Sequence, residues 1–122
     1  MEGPLRRLLR EVFPRPPSSF AFQEASGPVN FKVEERDTYT LVEFEIVGGV
    51  LEPSDLKRIT PPQVNYQKGV VISGRGPIWL YCFLAHAYHP TKFVATFDPQ
   101  LGGAVVVETH TKDVEVGDVI PV

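Results

Sequence analysis

Short β-branched and alternating segments dominate the hydrophobic pattern of the chain, and one long apolar segment interrupts them. Residues 31–35 and 39–46 alternate apolar and polar positions around a three-residue turn, a pattern that predicts a β-hairpin. The apolar run from Gly69 to Ser73 predicts a buried strand. Residues 77–88 have the length and composition of a helix.

Three further strands are predicted after this helix, over residues 92–97, 104–108 and 119–122. A strand, a helix and a second strand in succession form a parallel crossover, which is right-handed in nearly all proteins. The pattern therefore predicts the α/β class, with a mixed β-sheet and flanking helices.

The first thirty residues have a different character. Apolar residues at positions 5, 8, 9 and 12 have helical spacing, which predicts a short amphipathic helix. The proline- and serine-rich residues 14–19 end that helix and predict a stiff, polar linker. Residues 1–30 are therefore interpreted as an N-terminal extension, and residues 31–122 as the folded domain.

The size and charge of the chain limit the functions it can have. At 122 residues and 13.6 kDa it can build one modest hydrophobic core. A formal charge of -3 and a pI near 5.6 argue against binding to long DNA or RNA, which needs a broad basic face. The single cysteine, Cys82, excludes an intrachain disulfide and favours a cytoplasmic location. Without a long apolar run, the chain is expected to have no membrane partner.

The motif with the most chemistry is Ser73-Gly74-Arg75-Gly76, which follows the buried strand and precedes the helix. A strand, a glycine-rich loop and a helix N-terminus combine backbone N–H groups with a positive dipole end, where phosphate binds. The glycines let the backbone approach a ligand, and the Arg75 guanidinium offers a planar fork of donors. The motif predicts an anionic, nucleotide-like ligand, and it is equally consistent with a tight turn.

Chain direction divides the remaining polar residues between two ends of the sheet. Asp98 and Gln100 follow a strand parallel to the one before the glycine loop, so all of these lie at the carboxyl edge, where open α/β sheets bind ligands. The helix and the last hairpin return the chain to the opposite end, which brings His89 and His110 together. Because the two clusters cannot touch within one subunit, a shared site requires an oligomer.

Each residue also has a purely structural interpretation. Trp79 has the spacing of a core residue on the helix, and His86 that of a partly buried histidine. His89 closes the helix, where the dipole favours a cation. Asp98 opens a turn, and His110 is interpreted as a solvated strand end.

Three segments carry a resemblance to a known family: KGVVISGRGPIWLYCFLAHAYH, FVATFDPQLGGAVVVETH and GDVI. From about residue 31 to its C-terminus, the chain resembles the Csx-three family of CRISPR-associated proteins, small ring nucleases of type III systems. The resemblance implies a fold distantly related to Rossmann-like sensors of cyclic oligoadenylates. It also implies binding and cleavage of cyclic tetra-adenylate, dependence on manganese, and a ligand held between stacked dimers.

The resemblance further implies roles for individual residues. His89, Asp98 and His110 fall where the family places residues needed for cleavage, and His89 and His110 are the candidate manganese ligands. Contacts with the ligand are expected from the glycine loop, the helix and the following turn: Ser73, Gly74, Arg75, Gly76, Trp79, His86 and Gln100. The expected assembly is a homodimer that stacks head-to-tail with its ligand into a tetramer or filament.

Gln100 departs from the family pattern, because the family's turn is expected to read Asp-Pro-Arg. Loss of a guanidinium beside a phosphate that gains charge in the transition state lowers the stabilisation of that state. Two alternatives to a ring nuclease therefore stay open. One is a sensor or sponge that binds the ring without cutting it, and the other is an exoribonuclease that trims linear oligoadenylate or RNA 3′ tails.

Overall fold

One mixed β-sheet dominates the fold in the computed structural model, which describes residues 20–23 and 27–122. Its strands lie side by side in the order in which they occur in the chain. They are β1 (Phe20–Gln23), β2 (Val29–Glu35), β3 (Tyr39–Ile46), β4 (Gly69–Gly74), β5 (Phe93–Asp98), β6 (Gly103–Thr109) and β7 (Val119–Pro121). A single α-helix of the described chain, α1 (Ile78–Ala87), connects β4 to β5.

The centre of the sheet is parallel and its two sides are antiparallel. β4 pairs in parallel with β3 on one side and with β5 on the other. β1 and β2 extend the sheet beyond β3 as antiparallel strands, and β6 and β7 do the same beyond β5. The predicted α/β class and mixed sheet are confirmed, although the fold contains more strand than helix. The distant Rossmann-like relationship stays a prediction.

Two apolar layers form the core, one on each face of the sheet. The face covered by α1 buries Val42, Val70 and Ile72 of the central strands against Leu80 and Leu84 of the helix. These two leucines and three strand residues are fully buried, and the i, i+4 spacing of the leucines places both on the helix face that contacts the sheet. The opposite face buries a second set: Tyr39, Leu41, Val71, Phe93, Ala95, Ala104 and Val106.

The connection from β3 to β4 packs on the α1 side of the sheet. It contains a short 3-10 helix at Pro53–Arg58, which begins with a capping box between Glu52 and Asp55. The Asp55 carboxylate accepts the Glu52 amide at 2.8 Å and fixes the start of this helix. That hydrogen bond lowers the pKa of Asp55.

The sheet begins before the predicted domain boundary at residue 31. β2 starts at Val29, and β1 pairs with it from Phe20 to Gln23. Part of the segment interpreted as an extension therefore belongs to the folded domain. The predicted helix before Phe13 and the linker at 14–19 lie outside the described residues. Over the described part of the chain, no helix has the length and apolar character needed to cross a membrane.

Two tyrosines make the fold sensitive to alkali. Tyr88, at the end of α1, is buried and donates a hydrogen bond to the Pro62 carbonyl at 2.8 Å. Its burial raises the pKa of Tyr88 well above the ordinary value, and burial also raises the pKa of the half-buried Tyr81. The unfolded chain therefore loses these protons first, near pH 10. The free energy of unfolding must fall as the pH rises above that value.

We predict that Tyr88→Phe flattens this alkaline decline. The wild-type protein has one more phenol than the variant that keeps its proton in the folded state and loses it in the unfolded state. In the variant, the slope of the unfolding free energy against pH should therefore be smaller by up to about 1.4 kcal/mol per pH unit. Urea unfolding at a series of pH values from 8 to about 11 measures it. Tyr81→Phe removes the half-buried phenol, whose pKa is raised less, and should flatten the decline less. Equal slopes for Tyr88→Phe and the wild-type protein would contradict the assignment.

Candidate functional site

The glycine loop after β4 is held in place by a tyrosine of the helix that follows it. The Tyr81 hydroxyl donates to the Gly74 carbonyl at 2.5 Å and accepts the Gly74 amide at 2.9 Å. Its ring packs edge-to-face on Phe44, with the ring centroids 5.2 Å apart. Both backbone polar groups of Gly74 are therefore satisfied within the chain, and this amide is not available to a phosphate.

The two glycines of the loop are required by Phe44 of β3. A Cβ atom at Gly74 would lie 2.6 Å from the Phe44 carbonyl oxygen, and one at Gly76 would lie 2.8 Å from its ring. Neither glycine has the positive φ that would call for glycine on conformational grounds. The structural interpretation of these residues, a tight strand-to-helix turn, thus accounts for both. Their contact with a ligand stays a prediction.

Like the neighbouring Gly76, Arg75 is exposed to solvent. It makes no hydrogen bond or salt bridge with any residue that the structure describes, so its guanidinium is free for an anion. Ser73 is partly buried and alternates with Ile72, which places it on the face of the sheet opposite α1. The guanidinium donors of Arg75, a predicted phosphate contact, therefore have no competing partner among the described residues.

Asp98 ends β5 at the same edge of the sheet as the glycine loop, as predicted. Its Oδ1 accepts the Gln100 amide at 2.8 Å, and its carbonyl accepts the Gly102 amide at 2.9 Å. Gly102 has a φ of 68°, which closes the turn into β6. The turn holds Asp98 in place and exposes the Gln100 side chain, so the structural interpretation of Asp98 is also satisfied.

The helix residues Trp79 and His86 have different surroundings. Trp79 is partly buried and packs against the core on the α1 side, which confirms its interpretation as a core residue. His86 is exposed, so the expectation of a partly buried histidine is wrong. The reason is that α1 buries Leu80 and Leu84 fully, and His86 falls outside the apolar stripe.

His89 and His110 meet at the opposite edge, as the chain direction predicted. Their ring centroids are 5.0 Å apart, and the His110 Nε2 lies 3.1 Å from the His89 carbonyl oxygen. The His110 amide donates to the Lys92 carbonyl at 2.9 Å, which ties the end of β6 to the start of β5. Two imidazoles from separate loops are therefore fixed against each other.

Glu108 completes this group and was missed in the sequence. Its Oε2 contacts Nδ1 of His89 and lies 3.3 Å from Nε2 of His110. A β-bulge between Val94 and Ala95 explains why it was missed. Simple alternation would place Glu108 on the face of Val106, whereas the bulge pairs it with Val94 on the α1 face, where His89 lies. The available signal was the spacing of Glu108 and His110, two residues apart around the end of β6.

The site residues thus form two groups at opposite ends of β5. The carboxyl-edge group contains Arg75, Asp98 and Gln100, and the histidine group contains His89, Glu108 and His110. β5 is about 17 Å long from its first residue to its last. The structure does not bring His89 and Asp98 together within one chain, in agreement with the sequence-based prediction.

The mixed sheet thus carries the glycine loop, held by Tyr81, at one edge and the paired histidines at the other. The family model described as CRISPR-associated protein (Cas_csx3) matches residues 44–121, from the end of β3 through β7. The chain belongs to this family, and its role is CRISPR-associated. It is also similar to an uncharacterised protein of Aquifex aeolicus (strain VF5), at 54% identity over 88 residues, which cover 69% of this chain and 78% of the relative.

Tyr81→Phe should loosen the glycine loop. The substitution keeps the ring on Phe44 but removes the hydroxyl that joins both polar groups of Gly74, at an expected cost of about 1–2 kcal/mol. Faster hydrogen exchange of the Gly74 amide is the direct measurement. Tyr88→Phe is the matched control, because it removes a phenol hydroxyl at the other end of α1 and should leave the exchange of Gly74 unchanged relative to the rest of the sheet. An unchanged exchange rate of the Gly74 amide in Tyr81→Phe would show that these two hydrogen bonds do not hold the loop.

Proposed function

We propose that this protein is a ring nuclease that binds cyclic tetra-adenylate, cleaves it, and thereby ends signalling in type III CRISPR defence. The observation that carries the proposal is the division of the candidate residues between two edges of one chain. A site completed by a second subunit needs such a division, and a small rigid sheet with one group at each edge provides it. Membership of a CRISPR-associated family supports the biological setting.

The carboxyl-edge group would bind and align the ring. RNA supplies its own nucleophile, the 2′-hydroxyl, so the protein must align this oxygen with the phosphorus and manage charge and protons. Arg75 has the free guanidinium that would neutralise a phosphate. Asp98, held by its own turn, would orient or deprotonate the hydroxyl. Tyr81 would act at one remove as a positioning residue, because it fixes the loop that carries Arg75.

The histidine group would supply the leaving-group chemistry from the next subunit. Imidazole is a common general acid in enzymes, so His89 or His110, where it holds no ion, is suited to protonate the departing oxygen. The family resemblance also implies manganese, and the two imidazole nitrogens are donors that such an ion accepts. When bound, the ion would polarise a phosphoryl oxygen. His89 and His110 are 58% and 48% exposed in their side chains, which leaves the group open to a neighbouring subunit.

Head-to-tail stacking would place these two groups on either side of one ligand. The carboxyl edge of one subunit would face the histidine edge of the next, with the ring between them. A heterologous contact of this kind continues into a tetramer or filament. A distant relationship to Rossmann-like sensor domains remains part of the proposal.

A sponge that binds the ring without cutting it is the second candidate, and Gln100 is the observation that favours it. The side chain is exposed in the turn that positions Asp98, where the family pattern is expected to have an arginine. A neutral amide cannot stabilise the charge that develops on the phosphate as a guanidinium would. In that case the carboxyl-edge group would still bind the ring, and cleavage would be slow.

Incubation of the protein with cyclic tetra-adenylate and Mn²⁺ should give linear products. Asp98→Ala should lower the cleavage rate at least about 100-fold and preserve most of the binding, whereas Arg75→Ala should weaken binding about tenfold or more. Rates come from chromatography of the products, and affinities from calorimetry. Glu45→Gln, an exposed change on β3, is the charge-matched control for Asp98.

Three outcomes of this assay decide between the candidates. Tight binding with an intact ring supports the sponge, and equal rates on linear oligoadenylate support trimming of RNA tails. Full turnover by Asp98→Ala would show that its assigned role is wrong.

A mixture of Asp98→Ala and His89→Ala subunits should recover activity if the site is shared. Each variant keeps one intact edge, and on random assembly about one quarter of the interfaces would pair two intact edges. The measurement is the cleavage rate of the mixture after the subunits have exchanged, compared with each variant alone. Asp98→Ala mixed with Arg75→Ala is the control, because both changes damage the same edge and no intact carboxyl edge remains. Recovery in both mixtures, or in neither, would contradict a site between subunits.

A further inference from the structure

We propose that Glu108 is the third protein ligand of a divalent metal ion, together with Nδ1 of His89 and Nε2 of His110. The family resemblance implies manganese at the two histidines, but it assigns nothing to Glu108. The inference extends the proposed function by naming the full ligand set and the class of ion. Its test measures metal binding directly and does not depend on the ring nucleotide.

The three donor atoms lie close enough together to bind one ion. One donor atom from each residue lies within 4.8 Å of the other two. A single carboxylate oxygen, Oε2 of Glu108, faces both imidazole nitrogens. Without an ion, imidazole N–H groups would hold this oxygen, and the His110 Nε2 also lies 3.1 Å from the His89 carbonyl oxygen. Binding of an ion would release the protons on these nitrogens to solvent and use the same three atoms as ligands.

The backbone positions His89 and Glu108 for this group. His89 follows the last turn of α1, where its amide donates to the His86 carbonyl at 3.2 Å. Thr91 is buried, and its hydroxyl donates to the Tyr88 carbonyl at 2.7 Å, which secures the same loop. The β-bulge then places Glu108 on the α1 face of the sheet, where it meets His89. The site is therefore prepared by the fold before any ion binds.

The charges around the group favour a cation. Glu108 is the acidic member, with 29% of its side chain exposed. The neighbouring Lys92 ammonium is directed to Asp113, 3.1 Å away, so it is paired outside the group. Two neutral imidazoles and one carboxylate would leave a divalent ion with net positive charge, which suits it to an anionic ligand. The exposed side of the group gives access to water or a phosphate oxygen.

The donor set defines the class of ion. Two nitrogens and one carboxylate suit first-row ions such as Mn²⁺, Co²⁺ and Zn²⁺, whereas Mg²⁺ and Ca²⁺ favour sites built from oxygen alone. Three protein ligands also leave coordination positions open, as in catalytic rather than structural sites. We therefore expect the protein to bind Co²⁺ more tightly than Mn²⁺, and to bind Mg²⁺ only weakly.

The test is a titration of the full chain with each metal alone, by calorimetry and by NMR of the imidazole signals. The wild-type protein should bind one ion, and Mn²⁺ should broaden the signals of His89 and His110 most strongly. The third histidine of the chain, the exposed His86, serves as an internal reference and should broaden less, because paramagnetic broadening falls steeply with distance from the ion. Glu108→Gln should weaken the affinity at least about tenfold, as should His89→Ala, whereas the charge-matched Glu45→Gln should have no effect.

Several results would overturn the proposal. These are wild-type protein that binds no ion, Glu108→Gln that binds as tightly as the wild type, or broadening at His86 alone. Glu108→Asp provides a second variant if Glu108→Gln does not fold, because it keeps the carboxylate but withdraws it from the histidines, and it too should weaken binding. Unfolding midpoints of every variant separate lost metal binding from lost structure.

The failure of this proposal can be told apart from failure of the proposed function. Cyclic tetra-adenylate that is cut in the presence of a chelator, by protein that binds no metal, would leave the ring nuclease standing and remove the metal site. Normal metal binding without binding or cleavage of the ring would do the opposite.

Discussion

The parallel pairing of β3, β4 and β5 is the constraint on which the functional geometry depends. α1 must cross from the end of β4 to the start of β5, because both strands run in the same direction. This one crossover sends Asp98 to the edge where Arg75 lies, and it leaves His89 at the other edge. No side-chain motion can close a separation of one strand length. The parallel pairing that builds the core therefore has a second consequence. Any chemistry that needs both groups must use two chains.

The two hydrogen bonds of Tyr81 change how the glycine loop is interpreted. A loop of this composition is usually explained by backbone groups that approach a phosphate, yet here the glycines make room for Phe44 and both polar groups of Gly74 bond to Tyr81. The loop is rigid because β3 and α1 hold it from both sides. A rigid loop loses less conformational entropy when Arg75 engages an anion. The structural and functional interpretations of the motif are therefore compatible, because the first provides the preorganisation that the second needs.

The sequence predicted the hairpin, the helix, the parallel crossover and the meeting of His89 with His110, since all follow from periodicity and chain direction. It did not predict Glu108 or β1. Alternation along β6 assigns Glu108 to the wrong face, because a bulge of one residue reverses the alternation and leaves no mark in the hydrophobic pattern. β1 is a four-residue strand beside a proline- and serine-rich segment, too short for its period to be recognised. The prediction that His86 is partly buried was wrong for another reason. Helical spacing shows which residues share a face of the helix, but not how much of that face the neighbouring strands cover.

The β-bulge connects the fold to the chemistry more closely than any single residue does. It separates Val106, which is fully buried in the core away from α1, from Glu108, which points to the α1 side only two residues later. A regular strand would have to place both on one face, so either the core would lose an apolar residue or the histidines would lose their carboxylate. The bulge removes this conflict by inserting one residue, at the cost of a local break in the hydrogen-bond ladder. Because that break lies beside the histidine group, it is best understood as part of that group: the irregularity allows a closed core and an exposed carboxylate beside the histidines to occupy the same strand.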